Sequence, residues 1–151
     1  MTLRRKAREL ALQLLYQWEV RGESTEKAEE AFWPGAKAAQ KTREFAHRLF
    51  TGTVAAAPQL DALIEKHATN WRLERMSAVD RNILRLAAFE LKFGTAPPRV
   101  VLDEAVELAK KFSDDAAPGF VNGVLDAMQK NAVASGEWPV ASEEKKGERG
   151  D

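Results

Sequence analysis

The chain has 151 residues, 44% hydrophobic and 30% charged, and its 23 basic and 23 acidic side chains cancel to a net charge of zero. This fits one soluble globular domain with a single substantial core, and it excludes a global basic field, so any nucleic-acid contact must come from local clustering. No cysteine and only two histidines, His47 and His67, are present, which excludes disulfides, a Cys-based zinc site and a histidine-rich metal centre.

The first predicted helix runs from Leu3 to about Glu19, and its periodicity places Leu3, Ala7, Leu10, Ala11, Leu14, Leu15 and Trp18 on one apolar stripe. The opposite side carries Arg5, Arg8, Leu12 and Tyr16, with Arg4 and Lys6 on its flanks. Charged Glu9 interrupts any long apolar run, so neither a signal peptide nor a membrane span is expected, and the expected compartment is the cytoplasm. Gly22 offers a left-handed stop. Ser24 or Thr25 can cap a short second helix, Glu26 to Phe32, and Trp33-Pro34-Gly35 breaks it. A third helix is predicted from about Ala36 through Val54, with Thr42, Phe45, Ala46, Leu49 and Thr53 inward and His47 on the solvated side. Pro58 marks a break. Leu60, Leu63, Ile64, His67 and Trp71 then share another helical face, on which His67 reads as a packed, hydrogen-bonded residue.

Ser77 is a good N-cap for a helix from Ala78 to Phe93, stopped by Gly94. Val79, Ile83, Leu86 and Ala87 form its apolar face, with Leu84 and Leu91 widening it. Glu90 falls in the middle of that face. A buried carboxylate is costly unless paired, so Glu90 is expected to tie helices together through a backbone or arginine partner. Pro97-Pro98 opens the next helix, with Val101, Ala105, Leu108, Ala109 and Phe112 inward. Its acids, Asp103, Glu104 and Glu107, and its late Lys110 and Lys111 complement the macrodipole. Ser113-Asp114-Asp115 caps the last helix, whose inner side is Val121, Val124, Leu125 and Met128, with Phe120 off-axis and Asn122-Gly123 outward. From Ala134 the pattern lacks periodicity and reads as a disordered tail. No strand signal of useful length occurs. The expected fold is all-α, about seven helices in two packed subdomains. Residues 1–133 form one helical unit divided near 58–71, and residues 134–151 are its tail.

No glycine-rich phosphate loop, GxSxG elbow, HExxH or Cys/His nucleophile pair is present, so the chain reads as a non-enzyme without cofactor or metal. The basic cluster at Arg4, Arg5, Lys6 and Arg8 remains. Cations at a helix N-terminus are unfavourable by a few tenths of a kcal/mol each, which implies a compensating use as a phosphate-holding surface. Tyr16, the only tyrosine, points to the same side.

Four segments in order carry a resemblance: Arg4 to Tyr16, Val79 to Leu91, Asp103 to Phe112 and Phe120 to Asp126. Together they resemble the NusB family of bacterial transcription antitermination factors, collinearly from Leu3 to Met128. The resemblance implies a fold of two helical subdomains and no catalysis. It also implies a heterodimer with the ribosomal protein NusE on boxA RNA of nascent ribosomal transcripts, within the RNA polymerase elongation complex and its other Nus factors. By matching position it implies RNA contacts from Arg4, Arg5, Lys6, Arg8, Tyr16, Phe120 and Asn122. NusE contacts are implied for Tyr16, Glu19, Asp80 and Arg81, with aspartate at position 80 where many members carry glutamate. The loop Ala116-Ala117-Pro118-Gly119 departs from the polar or basic stretch usual in the family. Two alternatives stand beside this reading: a helical adaptor that docks an acidic protein on the basic helix, and a NusB-like RNA-binding module in ribosomal RNA processing. Outward Leu12 and Tyr16 also leave a homodimer open.

Overall fold

The computed structural model describes residues 2–134. Among them are seven α-helices and no strand: α1 (Leu3–Arg21), α2 (Thr25–Phe32), α3 (Gln40–Ala55), α4 (Ala57–His67), α5 (Ala78–Phe93), α6 (Pro98–Phe112) and α7 (Ala117–Ala134). The expected tail lies outside the described residues, except for Ala134, which ends α7.

Capping chemistry sets most boundaries. Thr2 accepts a hydrogen bond from the Arg5 N–H at the start of α1, and Gly22 ends it at φ 63°. Ser24 caps α2 and Ser77 caps α5 in the same way. Two expected limits shift, the start of the third helix and the end of the fourth. The third helix begins at Gln40 instead of Ala36. The chain there stays extended, with Ala39 at ψ 155°, and Ala36 and Ala38 pack against the cluster of Ala7, Leu10 and Ala46. The break expected at Pro58 is present, with α3 ending at Ala55 and α4 starting at Ala57. Pro58 occupies the first turn of α4, where no N–H is required, directly after a kink at Ala56. Trp71 is not on a helical face: α4 ends at His67, Asn70 turns the chain at φ 73°, and Trp71 lies beyond it, 51% exposed.

Helices α1–α3 pack as one group and α4–α7 as a second, and α5 touches both, lying against α1, α3, α4, α6 and α7. One continuous core joins them, with Leu14, Phe50, Ile64, Ile83, Leu125 and Met128 all fully buried. The α3–α5 crossing depends on Gly52, where an added Cβ would stand 2.4 Å from the Phe89 ring. Because α3 and α5 both cover α1, its buried arc is wider than a one-sided stripe. This corrects the outward placement of Leu12, which joins the core at 3% exposure.

Candidate functional site

The first turns of α1 bring four cations to one end of the molecule, but not into one environment. Arg5 is exposed, and its Nη2 and Nε lie 2.7 and 3.1 Å from the carboxylate oxygens of Glu104 on α6. That contact raises the Arg5 pKa, chiefly through the Glu104 hydrogen bond and charge. Arg4 is half-buried, its guanidinium 5.0 Å from the centroid of the Phe45 ring. Lys6 is half-buried beside them. Arg8 departs from the expected outward face. It is 2% exposed, and its Nε and Nη2 donate to both oxygens of Glu90 at 2.7 to 3.2 Å. Its Nη1 is buried without a hydrogen-bond partner, 4.0 Å from Glu104 Oε1. The reason is geometric: α1 is enclosed on the side that carries Arg8, and Glu90 in the apolar face of α5 meets it there. The arginine partner expected for Glu90 is therefore one of the cations expected on the surface.

At the other end of α1 the polarity reverses. Glu19 receives Arg81 Nε at 2.9 and 3.1 Å and Asn82 Nδ2 at 3.2 Å, and it also accepts from Arg81 Nη2 and Arg85 Nη1. Arg81 donates further to the carbonyls of Leu73 and Met76, both at 2.8 Å. Arg85 continues to Asp61 of α4 at 2.7 and 2.9 Å. Burial pushes the Glu19 carboxyl up. The Arg81 hydrogen bond and the charges of Arg85 and Arg81 outweigh it and hold the pKa below the ordinary 4.5. Glu19 and Arg81 are thus each other's partners, and only their outer edges face solvent. Tyr16 stands clear at 44% exposure, and one turn on Val20 is 58% exposed.

Asp80 and Phe120, distant in sequence, border one groove of about 350 Å³ together with Trp71, Arg75 and Ser77. Asp80 accepts from the Ser113 hydroxyl at 2.6 Å, and Phe120 meets Trp71 edge-on at 5.8 Å. Asn122 is exposed on the outer side of α7 and does not line this groove. The stretch expected as a loop, Ala116 to Gly119, has no charged side chain and enters α7 at Ala117, and Asp114 caps it by accepting from the N–H groups of Ala116 and Ala117. Sequence reasoning assigned no functional role to Val20, Trp71 or Arg48. For Val20 the available signal was a large apolar residue outside the stripe of α1, whereas Trp71 was read as part of a helical face that the structure ends at His67.

The family model for the NusB family matches residues 5–130. This chain belongs to the NusB family. The transcription antitermination protein NusB of Solibacter usitatus is 46% identical over 132 residues, covering 86% of this chain and 90% of that protein. Its counterpart in Myxococcus xanthus is 46% identical, covering 85% and 95%. Among solved structures, T. maritima NusB superimposes with a TM-score of 0.77 at 37% identity, covering 84% of this chain and 90% of that one. A crystal structure of antitermination factors NusB and NusE in complex with dsRNA matches with a TM-score of 0.78 at 35% identity, covering 85% and 97%.

Among the described residues the arrangement holds exposed and half-buried guanidinium and ammonium groups at one end, an exposed aromatic midway, and an aromatic groove near the start of α7. No helix there is long and apolar enough to cross a membrane.

Proposed function

We propose that this chain is a non-enzymatic transcription antitermination factor that binds single-stranded boxA-type RNA of nascent ribosomal transcripts in the cytoplasm. It does so as a pair with NusE, within the RNA polymerase elongation complex and its other Nus factors. The observation that carries the reading is the family match across residues 5–130, joined to the cationic end of α1. Arg4, Arg5 and Lys6 supply phosphate contacts and the salt-dependent part of affinity. Arg8 acts from inside, fixing α1 on α5 so that the outer three are presented together. Phe120 offers a ring for an unstacked base, with Asn122 beside it on α7. Tyr16 and Asp80 meet NusE, while Glu19 and Arg81 brace the helices that carry them.

The test is equilibrium binding of a boxA-type RNA across a salt series, with and without NusE. Arg5→Ala should reduce the salt slope by about one unit, and Tyr16→Ala should weaken association with NusE without loss of helix content. Wild-type binding with no salt dependence would overturn the RNA reading in favour of a protein-docking adaptor.

A further inference from the structure

Arg48 on α3 was not among the residues expected to bind anything, yet the fold carries it to the cationic end of α1. Its guanidinium lies 5.5 Å from the centroid of the Phe45 ring, the same ring that Arg4 approaches at 5.0 Å. Arg4, Phe45 and Arg48 border a notch of about 320 Å³ whose other walls include Thr95, Gly94 and Glu90. Among the described residues, Arg5, Arg8, Arg81 and Arg85 each hold a carboxylate within 2.7 Å or less, whereas Arg48 is exposed and has no ion-pair partner. The one acid in the notch is already neutralised, because Glu90 spends both oxygens on Arg8.

We propose that the Arg4–Phe45–Arg48 notch holds a phosphate of the bound RNA, extending the cationic path from α1 onto α3. Stacking on an aromatic face steadies a guanidinium while leaving its N–H edge free, and that edge matches phosphate oxygens. Arg48 offers such an edge beside Arg4 on a single ring, and Thr95 lines the same notch. With both arginines on its ring, Phe45 serves as their support and not as a stacking surface for a base. The proposal rests on the RNA reading above, and its failure is separable from the failure of that reading.

The test uses the full chain, alone and paired with NusE, and a fluorescently labelled single-stranded boxA-type RNA titrated over a salt series. Arg48→Ala should lower affinity at low salt and reduce the slope of log K against log salt by about 0.7 to 1, the value for one lost phosphate contact. Arg48→Lys should recover most of the slope, since it keeps the charge. Arg43→Ala, which removes a cation stacked on Trp33 outside the notch, should leave it unchanged. Circular dichroism melts check that each variant folds. A salt-dependent wild type with an Arg48→Ala slope equal to its own would overturn the notch alone. A wild type that fails to bind, or binds without salt dependence, would overturn both readings. An Arg48→Ala variant that loses NusE and keeps RNA would make the notch a protein contact, contrary to the proposal.

Discussion

The two ends of α1 are built with opposite polarity. At the amino end cations dominate, and Arg8 is paired inside with Glu90 from the last turn of α5. At the carboxyl end an acid, Glu19, is held by Arg81 and Arg85 from the first half of α5. Each end carries the sign that its own helix dipole disfavours, so neither is explained by α1 alone. Both are explained by an antiparallel neighbour. Pairing the helices in the other direction would set Arg8 beside arginines and Glu19 beside Glu90, so the ionic pairs select one orientation of α1 on α5 while the apolar residues supply the adhesion. The difference lies in depth: the Arg8 pair is almost fully buried, whereas the Glu19 cluster stays partly open to solvent.

That difference in depth can be broken from either end. The largest effect is expected at the buried pair. Arg8→Ala strands the Glu90 carboxylate in the interior and should cost about 3–5 kcal/mol of unfolding free energy in a urea titration. Arg8→Met combined with Glu90→Leu should restore most of that stability. If the restored protein also binds RNA as wild type does, Arg8 acts by position; a persistent RNA defect would make it a direct contact.

At the open end, Glu19→Gln should cost about 1.5–3 kcal/mol at neutral pH, the range for charged hydrogen bonds, because Arg85 keeps Asp61. The sign of its pH dependence follows from the lowered pKa. The contribution of Glu19 is present above the ordinary value of 4.5 and is lost as pH falls through the lower folded value. Thermal melts of wild type should therefore fall more steeply below that pH than those of Glu19→Gln. Parallel curves would mean that other carboxylates govern acid unfolding.

The smallest effect concerns the surface pair between Arg5 and Glu104, whose arginine is largely in water. Glu104→Gln should change stability by less than about 1 kcal/mol. By releasing Arg5 it should tighten RNA by no more than about fivefold, the equivalent of that energy. Weaker binding would show that Glu104 orients Arg5 for RNA and does not compete with it.

Most helix limits were legible because the caps are local. Ser77 and Gly94 bracket α5, and Gly22 closes α1, each through a bond within a few residues. The start of α3 was not, since the competing extended path of Ala36 to Ala39 is stabilised by packing on α1 that no local pattern reveals. For the candidate site, the pattern made clear that Glu90 needed a cation and that Phe120 lay off the inner stripe of α7. Which cation it needed was hidden. A helical wheel divides a helix into an inside and an outside, and α1, covered by both α3 and α5, has inward positions at Arg8 and Leu12 that a single stripe omits. Arg48 was silent for a related reason: its significance comes from a ring that it shares with Arg4, more than forty positions away.

The partners of α1 also impose an order in time. Glu90, Glu104 and Lys111 stand 82, 99 and 102 residues after Arg8, Arg5 and Glu9, respectively. At a synthesis rate of about 5–20 residues per second, α1 leaves the ribosome roughly 4–20 seconds before its countercharges exist. A nascent chain thus carries its cationic helix, already able to pack against α2 and α3, without these countercharges until α5 and α6 emerge.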